Sequence, residues 1–340
     1  MRNIIAEIFT ERQRYSVDGK VVLVTGALTA VGRGLAQRLV QLGACVVLAD
    51  HVSDGTGETF SESINATAGR QASVYVSAQP GQLDSLRLMV DAAVLAFGQL
   101  DVLVNNTEQY AGGQGQEEGH EDDAAHVCAA IDAGFRAPVA ATLVFARYLR
   151  QTDNTGVAVN VAAMAGLLPG RGREVFGAAN AGLIHFTEAS RAMAPRLRVC
   201  ALAPYYIDTA EPPLLSQRRM LPGQRLGAPL LALSADQVVA SVVRCIEDTR
   251  MAGRTLLIAG ESSYVNSWSY FISCLHVLAI MAWSMLALLF QRALLALTRS
   301  HAQQSLPEMP IGSDGSGCDA GCDSGCDSDP DPDQRKLRTE

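Results

Sequence analysis

Short, almost uninterrupted apolar runs alternating with helical patterns constrain this chain most. Val21–Val24 reads as a buried strand, and Gly34–Leu42 as a helix with Leu35, Leu39 and Leu42 on one face. Further strands are predicted at Cys45–Ala49, Ser73–Val76, Asp101–Val104, Val157–Val161, Val199–Ala203 and Thr255–Ala259, with a second long helix over Leu83–Phe97. Strands without polar alternation are buried on both faces, which requires a parallel sheet covered by helices on each side. Right-handed crossovers then give a doubly wound α/β domain.

Composition narrows the classes. The formal net charge is −8 and the sequence pI about 5.3, so a general affinity for nucleic acid or anionic lipid is not expected. Of eight cysteines, Cys45, Cys128, Cys200, Cys245 and Cys274 are scattered singly, which suits a reducing compartment rather than a disulfide framework. Mean hydropathy is +0.13, and the excess is local. Ser267–Phe290 runs for 24 residues without Asp, Glu, Lys or Arg. As a helix it would be about 36 Å long, against a hydrocarbon core of about 30 Å. Trp268 and Tyr270 stand at its start, where an interfacial belt would place them, and Arg292 and Arg299 follow it. A membrane-associated helix is therefore expected over 265–298. Both a spanning and a re-entrant arrangement stay open.

Ahead of the domain, Met1–Tyr15 carries Ile4, Ile5, Ile8 and Phe9 at helical spacing, and a docking helix over 1–17 is expected there. The tail from 302 is rich in Gly, Ser, Asp and Pro, and Cys318, Cys322 and Cys326 are each followed by Asp. That composition buries too little apolar surface to fold and reads as a solvated, disordered acidic tail. The acidic loop Glu117, Glu118, His120, Glu121, Asp122 and Asp123 is likewise read as solvated rather than metal-binding.

The chemistry is concentrated after the first strand, in Thr25-Gly26-Ala27-Leu28-Thr29-Ala30-Val31-Gly32. A glycine-rich turn between strand and helix lets backbone N–H groups approach a pyrophosphate at the positive end of the helix dipole. Asp50 closes the second strand, where a carboxylate would take ribose hydroxyls. TGALTAVG, DVLVNN at 101–106, the Asn160-Val161 strand end and LRVCALAP at 197–204 resemble the short-chain dehydrogenase/reductase family over about residues 18–260. IDAGFRAP at 131–138 and LPGQRLGAP at 221–229 look most similar to its pteridine-reductase-like branch. The resemblance implies a Rossmann-like fold over 18–262 and a dinucleotide held by Thr25, Gly26, Gly32, Asp50 and Asn105.

It also implies four catalytic side chains, and the matching positions here hold other residues. The Tyr-x-x-x-Lys pair aligns with Phe176 and Asn180, the Ser with Ala163 and the Asn with Gly134. A phenyl ring has no proton to give, and general acid–base catalysis is worth about 10²–10⁴-fold. The turn is altered too, with Ala30 at its middle glycine and Thr107-Glu108 after Asn105-Asn106. Pro204-Tyr205 follows the sixth strand, where Tyr205 is expected to plug the pocket. The expectation is a catalytically inactive member with no cofactor or residual NAD(H), Asp50 and the non-basic Thr29 favouring NAD over NADP. Its role would be a membrane-anchored scaffold or accessory subunit, partnered by a membrane protein or a second copy. Its folded domain would face the cytoplasm or a mitochondrial matrix, and no nucleic acid is expected. The alternatives are an NAD(P)-dependent oxidoreductase of carbonyl or pterin-like substrates with a relocated acid such as Tyr205, Tyr206 or Glu174, and a nucleotide-sensing module.

Overall fold

The computed structural model describes residues 14–79, 81–106, 124–168, 170, 174–207, 232–260 and 262–266, with Leu286, Leu289 and Phe290. The chain divides into two units, Met1–Ser273 and Cys274–Glu340.

In the first unit the strands are β1 (Val21–Thr25), β2 (Cys45–Asp50), β3 (Ser73–Ser77), β4 (Val102–Asn106), β5 (Gly156–Val161) and β6 (Leu197–Pro204). They are followed by β7 (Tyr206–Ile207), β8 (Ala232–Leu233), β9 (Thr255–Ala259) and β10 (Ser262–Asn266). Eight of them form one sheet in the order β10-β9-β6-β5-β4-β1-β2-β3, while β7 and β8 pair separately. Every pairing from β3 to β9 is parallel. The helices are α1 (Ala30–Gln41), α2 (Thr56–Ala68), α3 (Leu83–Phe97), α4 (Ala124–Ile131), α5 (Ala137–Thr152), α6 (Glu174–Ala189) and α7 (Ala235–Glu247).

The strands are apolar throughout because both faces are covered. Val22, Val24, Val46, Leu48, Val102 and Val104 face one layer, packed with Leu35 and Leu39 of α1 and Val238, Val242 and Ile246 of α7. The intervening Leu23, Val47 and Leu103 face the other, against Met89 and Ala93 of α3 and Phe145 and Leu149 of α5. α7 starts with a capping box in which the Ser234 hydroxyl and Gln237 side chain satisfy each other's backbone N–H.

Two expectations change. The sheet continues beyond the last expected strand, Thr255–Ala259: Gly260, at φ +54°, turns the chain into β10, which returns antiparallel to β9 as far as Asn266. Residues 14–17 are not helical. The Tyr15 N–H donates to Glu247 O at 3.0 Å, and its ring lies within cation–π range of Lys20 and Arg198. Residues 1–13 of the helix expected over 1–17, the acidic loop and the acidic tail lie outside the described residues. So does the segment 265–298, apart from residues 265 and 266 in β10 and Leu286, Leu289 and Phe290, which are helical and exposed. Val127–Thr152 is long and apolar enough to cross a membrane by length and composition. Its α5 portion nevertheless buries Ala141, Phe145 and Leu149 against the domain.

β1 and α1 approach so closely that a Cβ on Gly32 would lie 2.2 Å from Gly26 O and 2.8 Å from Ala27 Cα. Both contacts are backbone, which cannot yield as a side-chain tip can. Gly32→Ala is expected to lower the unfolding free energy by about 3 kcal/mol, read as a fall in the urea midpoint at unchanged slope. An unchanged midpoint would contradict the close contact.

Candidate nucleotide groove and matched catalytic positions

The carboxyl edges of β1, β2 and β4 bring together all five residues expected to hold a dinucleotide. Each is also built into the fold. Gly26 takes φ +59°, and a Cβ there would lie 2.4 Å from Asn106 O. The Thr25 hydroxyl accepts from the Asn106 N–H at 3.1 Å. Thr29 caps α1, its Oγ1 accepting from Gly32 N at 3.1 Å and donating to Gly26 O at 2.9 Å. Ala30, at the first position of α1, is exposed and has ordinary negative φ, so the missing glycine does not strain the turn.

Asn105 is 1% exposed and is the hub of a polar network. Its Nδ2 lies 3.1 Å from Pro138 O, 3.2 Å from Thr142 Oγ1 and 2.8 Å from Asn160 Oδ1. Asn160 passes the network on, its Nδ2 donating to Thr187 Oγ1 at 3.0 Å. α5 and α6, neighbours in one helical layer, are thereby tied to the sheet. Asn106 donates to Gly26 O and Thr29 Oγ1, while its buried Oδ1 has no partner among the described residues.

Asp50 departs from expectation. It is 2% exposed, and its carboxylate is turned into the glycine-rich turn. Oδ2 accepts from Leu28 N at 3.0 Å, and Oδ1 accepts from His51 N at 2.8 Å and lies 2.9 Å from His51 Nδ1. Beyond it, Tyr75 pins the loop into α2. Its hydroxyl donates to Val52 O, and its ring occupies the space a side chain on Gly57 would need. Burial first, then the negative charges of Asp50, Glu58 and Asp54, push the Tyr75 hydroxyl up to about 12.

Sequence inspection missed the cleft just outside this loop, about 480 Å³ and lined by Arg33, Asp54, Thr56, Thr59, Phe60 and Ser63. Arg33 Nε donates to Leu28 O at 2.9 Å, and its guanidinium lies over the Phe60 ring at 4.7 Å. Arg33 and Phe60 sit on different helices, so no local spacing announces the pair.

The four positions matched to the family's catalytic groups also converge. Met164–Gly166 forms a 3₁₀ turn directly after Ala163, and a Cβ on Gly166 would lie 2.6 Å from Ala181 N of α6. Gly134 lies in a π-helical turn, Asp132–Arg136, where Ala137 N–H reaches back five residues to Asp132 O. A Cβ on Gly134 would lie 3.1 Å from Ala179 Cβ. Phe176 is half-buried; Asn180 is 4% exposed and donates from Nδ2 to Phe176 O at 2.8 Å. Tyr205 lies between β6 and β7. Its N–H continues the ladder to Ile258 O at 2.9 Å, and the residue is 37% exposed. Among the described residues no three metal-ligating side chains cluster. The turn geometry and the close strand–helix contact fit the adenosine and pyrophosphate half of a dinucleotide. Phe176, Asn180 and Ala163 do not fit the reacting half, since none carries an acid.

Tyr75 supplies a pH test. A phenol whose folded value is raised adds stability that is complete below its ordinary value near 10 and lost as pH rises to about 12. Urea midpoints should therefore fall across pH 10–12 in the parent chain and fall less in Tyr75→Phe. Parallel declines would contradict the Tyr75 contacts.

The chain matches the family model described as short chain dehydrogenase over residues 20–217. It is 30% identical over 271 residues to (5R,7aS)-5-hydroxy-7a-methyl-1-oxo-2,3,5,6,7,7a-hexahydro-1H-indene-carboxyl-CoA reductase of Mycobacterium tuberculosis, covering 76% of this chain and 94% of that protein. It is 26% identical to the 7alpha-hydroxysteroid dehydrogenase of Bacteroides fragilis, covering 73% and 96% of the two chains. The crystal structure of NAD+-bound xylitol dehydrogenase superposes with a TM-score of 0.59 at 24% identity, over 72% of this chain and 100% of that one, and shares the fold. With the motif match spanning the strand–turn–helix and the sheet built around it, the chain belongs to the short-chain dehydrogenase family.

Proposed function

We propose that this chain is a catalytically inactive short-chain dehydrogenase-like protein, serving as a membrane-anchored scaffold or accessory subunit of a membrane complex. The observation that carries this reading is the set at the remnant site. Gly134, Ala163, Phe176 and Asn180 lie on neighbouring segments, and none can transfer a proton or stabilise a phenolate. Oriented hydrogen bonds to a developing oxyanion are worth about 10²–10³-fold, and the one side-chain donor in this set is the Asn180 amide. That amide is tied to the backbone of its own helix.

The anchor is read from Ser267–Phe290, uncharged and long enough for a bilayer. The domain belongs on a reducing side, in keeping with the unpaired thiols of Cys45, Cys128, Cys200 and Cys245. A partner membrane protein or a second copy would complete the assembly. Tyr205, exposed at the sheet's carboxyl edge, is the residue on which an active alternative would rest.

Turnover decides between the two. The parent chain, assayed with NADH and NADPH against a carbonyl panel, is expected to stay at background. Ala163→Ser/Phe176→Tyr/Asn180→Lys, with and without Gly134→Asn, is expected to raise the rate at least about 10²-fold. The triple variant spares Ala179 from yielding to a new side chain at position 134. Parent turnover that Tyr205→Phe abolishes would overturn the inactive reading. Removing 267–298 is expected to release the protein from membranes, and retention in the membrane fraction would overturn the anchor.

A further inference from the structure

We propose that the amino edge of the sheet, on the side of β5, β6 and β9, is a docking surface for anionic phospholipid headgroups. The domain then lies on the bilayer with its glycine-rich turn facing away. The inference rests on the anchor read from Ser267–Phe290 and adds to it an orientation and a lipid class.

The formal net charge of −8 excludes a general attraction to anionic lipid, so a local one depends on where the charges stand. Helices that connect parallel strands begin at the carboxyl edge of the sheet and end at its amino edge. Their first turns carry acids, with Glu58 in α2, Asp84 in α3, Glu174 in α6 and Asp236 in α7. The amino edge carries cations. Arg150 is in the last turn of α5, Arg191 in the 3₁₀ turn Ser190–Met193 after α6, and Arg254 immediately before β9. A helix dipole favours a cation at Arg150, but it gives no reason for one at Arg254, which leads into a strand. Among the described residues none of the three makes an ion pair, whereas Arg196 and Arg250 are held by Asp153 and Asp248 at 2.8 Å. The carboxylates left on this side, Glu188 and Glu247, are half-buried. The stem of Arg191 lies against Gly253, where an added Cβ would come within 2.5 Å of it, so Arg191 is set beside the residue preceding Arg254.

Chain continuity names the occupant. Because β10 returns antiparallel, Asn266 pairs with Thr255 at the amino edge, and the uncharged stretch begins at the next residue, Ser267. A residue spans at most about 3.6 Å, so a segment entering a bilayer from there keeps this edge within the screening length of about 8 Å. Val265, exposed in β10, adds an apolar side chain at the same place. An arginine near an anionic leaflet gains about fivefold in affinity, and the cytoplasmic leaflet on which such a domain would lie carries that charge. Nucleic acid would meet the same cations, but nothing brings it to this edge, whereas the chain itself brings the membrane.

The test is hydrogen–deuterium exchange of the full chain reconstituted in phosphatidylcholine vesicles and in vesicles that also contain phosphatidylserine, with flotation of both. Amides of 190–194 and 249–254 are expected to exchange at least about fivefold more slowly on the anionic vesicles, while those of 52–58 at the carboxyl edge stay unchanged. Salt at about 1 M, where the screening length is about 3 Å, should bring the two rates together. Arg150→Gln/Arg191→Gln/Arg254→Gln should do the same without impairing flotation, and glutamine keeps the stem that packs on Gly253. The salt arm covers the case in which this variant does not fold. A chain that floats with both vesicles yet exchanges equally on them, is protected at 52–58 instead, or keeps the difference in salt would overturn the inference and leave the anchor standing. A chain that floats with neither would overturn the anchor and the inference with it. Protection by a single-stranded RNA on neutral vesicles, with none from phosphatidylserine, would overturn it in favour of a nucleic acid.

Discussion

Everything at the carboxyl edge of the sheet hangs on how closely α1 meets β1. With no side chain at Gly32, the first turn of α1 rests on Gly26 O and Ala27 Cα. Thr29 can then cap that turn while receiving the Asn106 amide, so β1, β4 and α1 share one hydrogen-bonded corner. A single added methyl would force the backbone apart there. The turn is therefore required by packing, whatever nucleotide it holds, and its glycines say less about ligand binding than about how the layers meet.

The same principle separates the two halves of the groove. Thr25, Gly26, Gly32 and Asn105 persist where the fold itself needs them, Asn105 through the network reaching Asn160 and Thr187. Ala163, Phe176 and Gly134 stand where the fold makes no demand for a polar group. Polar side chains at such positions would need partners in a half-buried setting, and apolar ones repack without them. Apolar residues at the matched catalytic positions and retention of the architecture are thus compatible within one domain.

Much of the fold is legible in the sequence because burial on both faces leaves strands with no polar alternation. β10 escapes notice for the converse reason. Ser262, Ser263 and Asn266 carry no apolar run, and the strand exists because Gly260 turns the chain back along β9. The positions matched to the family's catalytic groups are also legible, since the segments carrying them are fixed by their neighbours. The orientation of Asp50 is not. Its partners Leu28 and His51 become visible only when β2 lies beside the turn, just as Arg33 and Phe60 meet only when α1 and α2 pack.

The π-helical turn at Asp132–Arg136 has a consequence for how the chain tolerates change in length. It contains one residue more than a regular helix would use between the same two ends, and Gly134 within it has no side chain to relocate. Dropping a single residue there would leave a continuous α-helix whose flanking faces keep their phase. The same deletion inside α5 would rotate Phe145 or Leu149 by about 100° away from the sheet. The turn that carries Gly134 is thus a slack joint in the helical layer, a place where the chain can shorten without disturbing its core.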